Sequence, residues 1–135
     1  MNSSSETVPA LAPERSGCPI AATLDLVGDK WSLIVIRDMF TGKNRFGEFL
    51  KSPEGITTNI LADRLKRMER AGLVAKQPYQ ERPVRHAYAL TPRGETLLPV
   101  LQAMCHWANT EMPDTWVPPA SFMRRKVRPK PQPRP

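Results

Sequence analysis

The chain has 135 residues, and 20 lysine and arginine residues against 13 aspartate and glutamate residues give it a formal net charge of +7. This length allows one modest hydrophobic core and leaves no room for a second, catalytic domain. The positive charge favours a polyanionic partner, such as nucleic acid or an anionic membrane surface. The longest apolar run, residues 31–36, is far shorter than the roughly 18 residues that span a bilayer, which excludes a membrane-spanning helix.

The N-terminus and the cysteines narrow the possible classes of protein further. Residues 1–12 have no basic residue ahead of an apolar stretch, so a secretory signal is not predicted and a cytoplasmic location is expected. Cys18 and Cys105 are too few for a disulfide framework and too far apart for a zinc finger. No Gly-rich phosphate loop, paired-carboxylate site or Ser/His/Asp constellation is recognisable. We therefore expect no metal, no cofactor and no enzymatic activity.

The chain divides into three parts. Residues 1–14 are weakly patterned and are predicted to form a flexible arm. Residues 15–112 carry the periodic apolar positions of a folded domain. Prolines are concentrated from residue 113 onward, and residues 124–135 hold six basic residues and no acidic one. Such a composition cannot bury a core, so residues 113–135 are predicted to be a disordered or extended basic tail.

Four helices are predicted in the first half of the domain. Pro19 suits the first position of a helix that ends at Gly28. A buried second helix spans residues 30–40, and a short third helix spans residues 45–50. Thr57 or Thr58 can cap the fourth helix, which ends at the Ala71-Gly72 pair. Its inward positions recur at i, i+4 and i+7, at Leu61, Leu65 and Met68.

The second half of the domain begins with a hairpin. Two short stretches around Val74 and Tyr88 are compatible with strands. A closing helix starts at Pro92 and runs to Met112, with a kink expected near Pro99. Three helices, a longer fourth helix, a hairpin and a closing helix are the element order of a winged helix-turn-helix, a mainly α fold with a small β-hairpin.

The fourth helix is the candidate DNA reader. Its first turn and its outward face carry Thr57, Thr58, Asn59, Asp63, Lys66, Arg67 and Arg70. Cations on such a face reach phosphates while the first turn reads base edges. A charged outward face is equally typical of a solvated helix.

Three further arginines have two interpretations each. Arg82 and Arg85 flank Pro83 at the hairpin tip, where a wing meets the DNA backbone or the minor groove. Charges at a hairpin tip also serve solubility. Arg64 lies about 60° from the inward direction of the fourth helix, so it reaches either a phosphate or a carboxylate such as Glu48.

Several motifs resemble those of one family. They are Cys18-Pro19, Leu24-Asp25-Leu26-Val27-Gly28-Asp29-Lys30-Trp31, Ile36-Arg37-Asp38, Arg45-Phe46-Gly47-Glu48-Phe49, Leu61-Ala62-Asp63-Arg64-Leu65, Gly72-Leu73-Val74 and Leu90-Thr91-Pro92-Arg93-Gly94. In this order they resemble the HxlR-type transcriptional regulators, bacterial winged helix-turn-helix proteins related to the MarR group. The resemblance covers about residues 18–107. It implies a homodimer on operator DNA, with the fourth helix in the major groove and the hairpin as the wing.

The resemblance also implies roles for other residues. The third helix would begin where the first helix of the motif crosses the DNA backbone, which makes Lys43 and Arg45 candidate phosphate contacts. The first and last helices would form the dimer interface, through Ile20, Leu24, Leu97, Leu101, Met104, Cys105 and Ala108.

Cys18 is a candidate redox sensor. It stands at the cap position of the first helix, where unpaired N–H groups and the helix dipole favour a thiolate. Proteins similar to this family use a cysteine here to sense oxidants or electrophiles through disulfide formation or adduction. Alternatively, Cys18 is a small residue that merely starts the helix. Cys105 lies on the apolar stripe of the last helix and is expected to be inert packing.

The resulting hypothesis is a sequence-specific DNA-binding regulator, with repression as its expected mode. It would act as a homodimer on a pseudo-palindromic operator in the bacterial nucleoid, and would respond to an oxidant or a small-molecule effector. Two alternatives stay open: a winged-helix module for protein interaction, and a nonspecific nucleic-acid binder driven by the basic tail. The positive charge is confined to two segments of the chain. Residues 43–93, with the predicted helix-turn-helix and wing, carry +6, and so do residues 124–135 of the tail, whereas residues 1–42 carry −2 and residues 94–123 carry −3.

Overall fold

The computed structural model describes residues 9–128. In that part the elements are α1 Pro19–Val27, α2 Ser32–Phe40, α3 Phe46–Phe49, α4 Thr58–Arg70, β1 Val74–Glu81, β2 Val84–Leu90, α5 Pro92–Glu95, α6 Leu98–Glu111 and α7 Ala120–Met123. This order confirms the predicted winged helix-turn-helix, in which α3 and α4 form the helix-turn-helix and the hairpin of β1 and β2 forms the wing.

The core lies where α2, α3, α4 and α6 meet the base of the hairpin. Phe49, Ile36 and Leu61 are fully buried there, and Leu98 joins them from α6. The Phe49 ring meets the Tyr88 ring of β2 edge to face, with centroids 6.4 Å apart. The predicted inward seam of α4 is confirmed, because Leu61, Leu65 and Met68 are all buried. Burying this seam sets the rotation of α4 and leaves its other side in solvent.

A glycine ends α4 and turns the chain into β1. Gly72 has a φ of 75°, which L side chains rarely adopt, and this confirms the expected C-terminal glycine. Leu73 N–H donates to the carbonyl oxygen of Met68 at 2.9 Å, as in a Schellman motif. The wing therefore leaves α4 at a defined angle.

The wing is an antiparallel pair that runs in register from Val74 opposite Leu90 to Glu81 opposite Val84, with an irregularity between Pro78 and Gln80. The segment before α3 adds to it on the side of β2. Arg45 forms a bridge with Ala87, and Tyr88 N–H donates to the carbonyl oxygen of Asn44 at 2.7 Å. The start of α3 and the wing are thus joined by backbone hydrogen bonds.

The kink predicted at Pro99 is wrong. The closing segment is two helices, and Pro99 lies in the first turn of α6, where a helix needs no N–H donor. The preceding helix α5 has the expected cap, because the Thr91 hydroxyl oxygen accepts from Gly94 N–H at 3.1 Å.

The predicted tail needs a correction over its described part. Residues 113–128, here called the strap, include the helix α7, and Phe122 and Val127 pack against the core. The composition did not reveal this, because two apolar residues among prolines and cations carry no periodic signal. Residues 129–135 lie outside the described chain, as do residues 1–8 of the predicted arm; residues 9–18 precede α1 without regular helix or strand. Among the described residues no helix is long and apolar enough to cross a bilayer.

Candidate nucleic-acid interface

The start of α4 presents three exposed polar side chains, those of Thr57, Thr58 and Asn59. Thr57 is the N-cap residue: its backbone is extended, and its carbonyl oxygen accepts from Leu61 N–H at 2.9 Å. Its side chain makes no capping hydrogen bond within the described chain, although a cap at Thr57 or Thr58 was expected. All three side chains are therefore presented to solvent at the end of the helix that would enter a groove.

A cationic face continues along α4. Four exposed residues fall on one line of the helix, at i, i+4, i+7 and i+11: Asn59, Asp63, Lys66 and Arg70. Arg67 lies beside them, with its Nη1 3.9 Å from Asp63 Oδ2. Both partners are about half exposed, so this ion pair contributes little and leaves Arg67 able to turn to another anion. The face thus presents three cations, Lys66, Arg67 and Arg70, of the kind that bind backbone phosphates.

Although its carboxylate partner is not Glu48, Arg64 does pair with a carboxylate, one of the two kinds of partner expected for it. Its Nε lies 2.8 Å from Asp29 Oδ2, at the end of the loop between α1 and α2, and its guanidinium also pairs with Asp63. Glu48 is engaged elsewhere, because its carboxylate accepts from the backbone N–H groups of Asn44 and Arg45 and so caps α3. These two hydrogen bonds lower the pKa of Glu48. Arg64 therefore joins α4 to the start of α2.

Asp29 holds this junction together, and the sequence interpretation missed it. Its carboxylate accepts from Ser32 Oγ at 2.6 Å and from the backbone N–H groups of Trp31 and Ser32 at 3.0 Å. Partial burial opposes the charged form, yet the Ser32 hydrogen bond, the Arg64 ion pair and the two N–H groups together lower its pKa to about 2. An Asp three residues ahead of Ser32 is a capping signal, so the sequence held a clue to this role.

Lys43 and Arg45 sit at the entrance to α3. Lys43 Nζ hydrogen-bonds the Ser52 hydroxyl oxygen at 3.0 Å and lies 3.8 Å from Asp38 Oδ2, a buried carboxylate. Arg45 is exposed, and its guanidinium stacks on the Tyr79 ring of the wing with its Cζ 4.1 Å from the ring centroid. Both cations stand on the same short segment as the start of the helix-turn-helix.

Arg82 and Arg85 occupy the tip of the wing, and both are exposed. Glu81 also lies there, opposite Val84 in the hairpin. Neither arginine takes part in an ion pair within residues 9–128. The tip therefore carries two cations that no described carboxylate neutralises.

A separate apolar surface lies on α1 and α6. Ile20 and Leu24 of α1 are 72% and 55% exposed, and Met104 and Trp107 of α6 are 51% and 64% exposed. They recur at i, i+4 on α1 and at i, i+3 on α6, so each helix presents an apolar stripe. Soluble monomers rarely leave such stripes uncovered.

The other residues expected in that interface are less accessible. Leu101 is 7% exposed and belongs to the core of its own chain, which corrects its assignment. Leu97 is half-buried and packs against the same core. Cys105 and Ala108 are half-buried, and burial raises the pKa of the Cys105 thiol. Cys18 is exposed at the N-cap of α1.

No group of three or more His, Cys, Asp or Glu side chains within residues 9–128 is arranged to hold a metal ion. What the described chain offers instead is a polar helix start, a cationic helix face and a basic wing tip on a winged-helix scaffold. These features define a DNA-binding helix-turn-helix protein.

The family follows from comparison with known proteins. The pattern of the HxlR-like helix-turn-helix family matches residues 26–115, and the chain belongs to that family. It is 37% identical over 98 residues to the HTH-type transcriptional regulator YybR of Bacillus subtilis, covering 73% of this chain and 78% of YybR. The protein is accordingly a transcriptional regulator with a helix-turn-helix DNA-binding domain.

Solved structures share the fold. PA1607, a candidate transcription factor, superposes with a TM-score of 0.68 and 37% identity over 90% of this chain and 82% of that chain. The reduced form of the transcriptional regulator YodB from B. subtilis superposes with a TM-score of 0.60 and 33% identity, covering 72% of this chain and 96% of YodB. The oxidised form of the redox regulator HypR gives a TM-score of 0.63 at 36% identity, covering 70% of this chain and 97% of HypR.

Proposed function

We propose that this protein is a homodimeric, sequence-specific repressor whose two α4 helices read a pseudo-palindromic operator about one DNA turn apart. The observation that carries the proposal is the exposed line of Asn59, Asp63, Lys66 and Arg70 on a helix whose opposite side is buried. Asn59 in the first turn is suited to read an adenine edge, and Lys66 and Arg70 to bind phosphates. Further contacts to the DNA backbone, on either side of α4, would come from Lys43, Arg45, Arg82 and Arg85.

The apolar stripes support dimerisation. In a monomer, four large apolar side chains would stay in water: Ile20, Leu24, Met104 and Trp107. A second copy of the same surface would bury them symmetrically.

Sedimentation equilibrium of a Trp107→Glu variant tests the proposed dimer directly. We expect a dimer for the wild type and a monomer for the variant, with Val84→Glu at the exposed wing as the control. A variant that stays dimeric would place the interface elsewhere.

Cys18 supports a redox response. It is exposed at the start of α1, within two residues of Ile20 on the proposed interface, so an adduct or disulfide there would alter the spacing of the α4 helices. YodB and HypR are structural neighbours, and HypR is a redox regulator. Mild oxidant should weaken DNA binding by the wild type and by Cys105→Ser but not by Cys18→Ser. Equal responses of all three proteins would remove Cys18 as the sensor.

The DNA-reading role is tested with duplexes selected from a random pool by the wild-type protein. Asn59→Ala should relax the preference at one base position, at a cost of about 1–3 kcal/mol. Lys66→Gln should instead weaken binding to all sequences and lower the salt slope by about 0.9 for each phosphate that the variant no longer neutralises.

The two variants serve as controls for each other, because one affects discrimination and the other affects charge. A wild-type protein that selects no sequence would refute specific reading and favour the protein-interaction alternative. Complete loss of binding on truncation after Met123 would favour the nonspecific, tail-driven alternative.

A further inference from the structure

The strap is held on the domain by a side-chain amide whose role the amino-acid pattern does not indicate. Gln102 of α6 donates from Nε2 to the carbonyl oxygens of Phe122, Met123 and Arg125, at 3.0, 3.3 and 2.9 Å. These oxygens lie at the end of α7 and in the turn after it. Gln102 thus fixes the place where the chain leaves α7.

Two arginines hold the strap beyond that point. Arg125 Nη1 donates to the carbonyl oxygen of Phe40 at 2.7 Å, and its guanidinium lies over the Phe40 ring with its Cζ 5.1 Å from the centroid. Arg128 forms an ion pair with Glu95, a carboxylate that is 7% exposed. The pairing with Arg128 lowers the pKa of Glu95. The strap is therefore fixed to the ends of α2 and α5.

This course brings the strap beside the helix-turn-helix. Arg125 and Arg128 line one cleft, of about 200 Å³, together with Lys43 and Asn44. Lys43 and Asn44 directly precede Arg45 and α3, on the segment that is a candidate for contact with the DNA backbone. The end of the described strap thus lies next to that segment.

Two cations at the C-terminal end of the strap do not help to hold it on the domain. Arg124 and Lys126 are exposed and take no part in the ion pairs of the described residues. Residues 124–128 contain four basic residues and no acidic one. Folding therefore brings these cations to the edge of a helix-turn-helix and wing that carry +6. Such a juxtaposition is unfavourable unless a polyanion neutralises both.

We infer that the strap is a second DNA-binding element, which places its cations on backbone phosphates flanking the half-site reached by α4. This rests on the proposed function, because the flank is defined relative to that half-site. The contacts would raise affinity and salt dependence and would leave sequence preference unchanged, since phosphates carry no sequence information.

The test compares two full-length variants. The neutral variant carries Arg124→Gln and Lys126→Gln, and the control carries Arg124→Lys and Lys126→Arg. Both leave Arg125 and Arg128 in place to dock the strap. Each protein is titrated with the duplex selected by the wild type, trimmed to about 20 base pairs or extended by about one helical turn at each end, and with a long mixed-sequence duplex.

Extension should strengthen binding by the wild type and the control but not by the neutral variant. If each protomer neutralises one phosphate fewer, the salt slope of a dimer should fall by about 1.8, so that affinity declines about 12-fold less between 50 and 200 mM salt. Equal slopes and an equal gain from extension would overturn the inference. If the wild type selects no sequence, the proposed function fails, and the slope on the mixed duplex still decides whether the strap binds DNA.

A Gln102→Ala variant tests whether docking matters, because it keeps every cation. We expect it to lose most of the gain from extended flanks while binding the trimmed duplex as the wild type does. If it gains as much as the wild type, the segment acts as an untethered polycation, and the inferred placement of the strap is wrong.

Discussion

The junction of Asp29 and Arg64 makes a prediction whose size follows from the geometry. Ionised Asp29 is stabilised by Ser32, by Arg64 and by two backbone N–H groups, and its pKa falls from 3.8 to about 2. A shift of this size corresponds to about 2.4 kcal/mol of folding free energy at neutral pH. The side chain keeps 21% of its exposure, so solvent screening reduces the expected value to about 1–2 kcal/mol.

The sign of the pH dependence follows from the lowered pKa. The stabilisation is present above the unfolded pKa near 3.8 and is lost as the pH falls through the folded pKa near 2. Asp29→Asn imitates the protonated carboxyl and keeps an oxygen for the N–H groups. Its unfolding free energy should therefore lie about 1–2 kcal/mol below that of the wild type at pH 7, and the difference should shrink to a few tenths of a kcal/mol near pH 2.

The assay is urea unfolding followed by circular dichroism, at one protein concentration because the proposed dimerisation would contribute to stability. Asp114→Asn is the matched control, since Asp114 is exposed and forms no ion pair within the described residues. A deficit for Asp29→Asn that is the same at pH 7 and pH 2 would refute the reasoning, because it would then arise from packing and not from the charge.

Three further predictions concern stability and can be measured by the same unfolding assay. Gly94→Ala should be strongly destabilising, because the added Cβ would lie 2.1 Å from the carbonyl oxygen of Leu73. In the control Gly47→Ala the added Cβ meets no atom within 4 Å, so this variant should be stabilised by up to about 1 kcal/mol. Equal effects of the two substitutions would contradict the packing at α5. Phe49→Ala should cost about 3–5 kcal/mol, because the ring is fully buried, and a cost below 1 kcal/mol would mean that it is not in the core. Thr91→Ala should lower the unfolding free energy by about 1 kcal/mol, because it removes the cap of α5. Thr57→Ala removes no capping hydrogen bond and should leave stability unchanged. A larger loss at Thr57 than at Thr91 would show that the two capping roles are reversed.

Local pattern accounts for most of what the sequence predicted correctly. The spacing of Leu61, Leu65 and Met68 determines which side of α4 is buried, and therefore which side is exposed, without knowledge of any other element. Pro19 and Gly72 mark helix ends because their backbone requirements are local. The same approach placed Pro99 in the middle of a helix, since helical spacing continues across the boundary between α5 and α6.

Contacts between distant residues were decided by the tertiary structure alone. Arg64 pairs with Asp29, which lies 35 residues away, and not with Glu48, because the orientation of α4 against α2 brings them together while Glu48 caps its own helix. Arg125 reaches Phe40 across 85 residues, and such long-range contacts, with the Gln102 hydrogen bonds and the Arg128–Glu95 ion pair, show that the strap is part of the domain. Periodicity specifies the face a residue occupies but not the element that the face meets. The sequence by itself thus determined the exposed face of α4, and the packing of the helices decided which cations on and around it are already engaged within the protein.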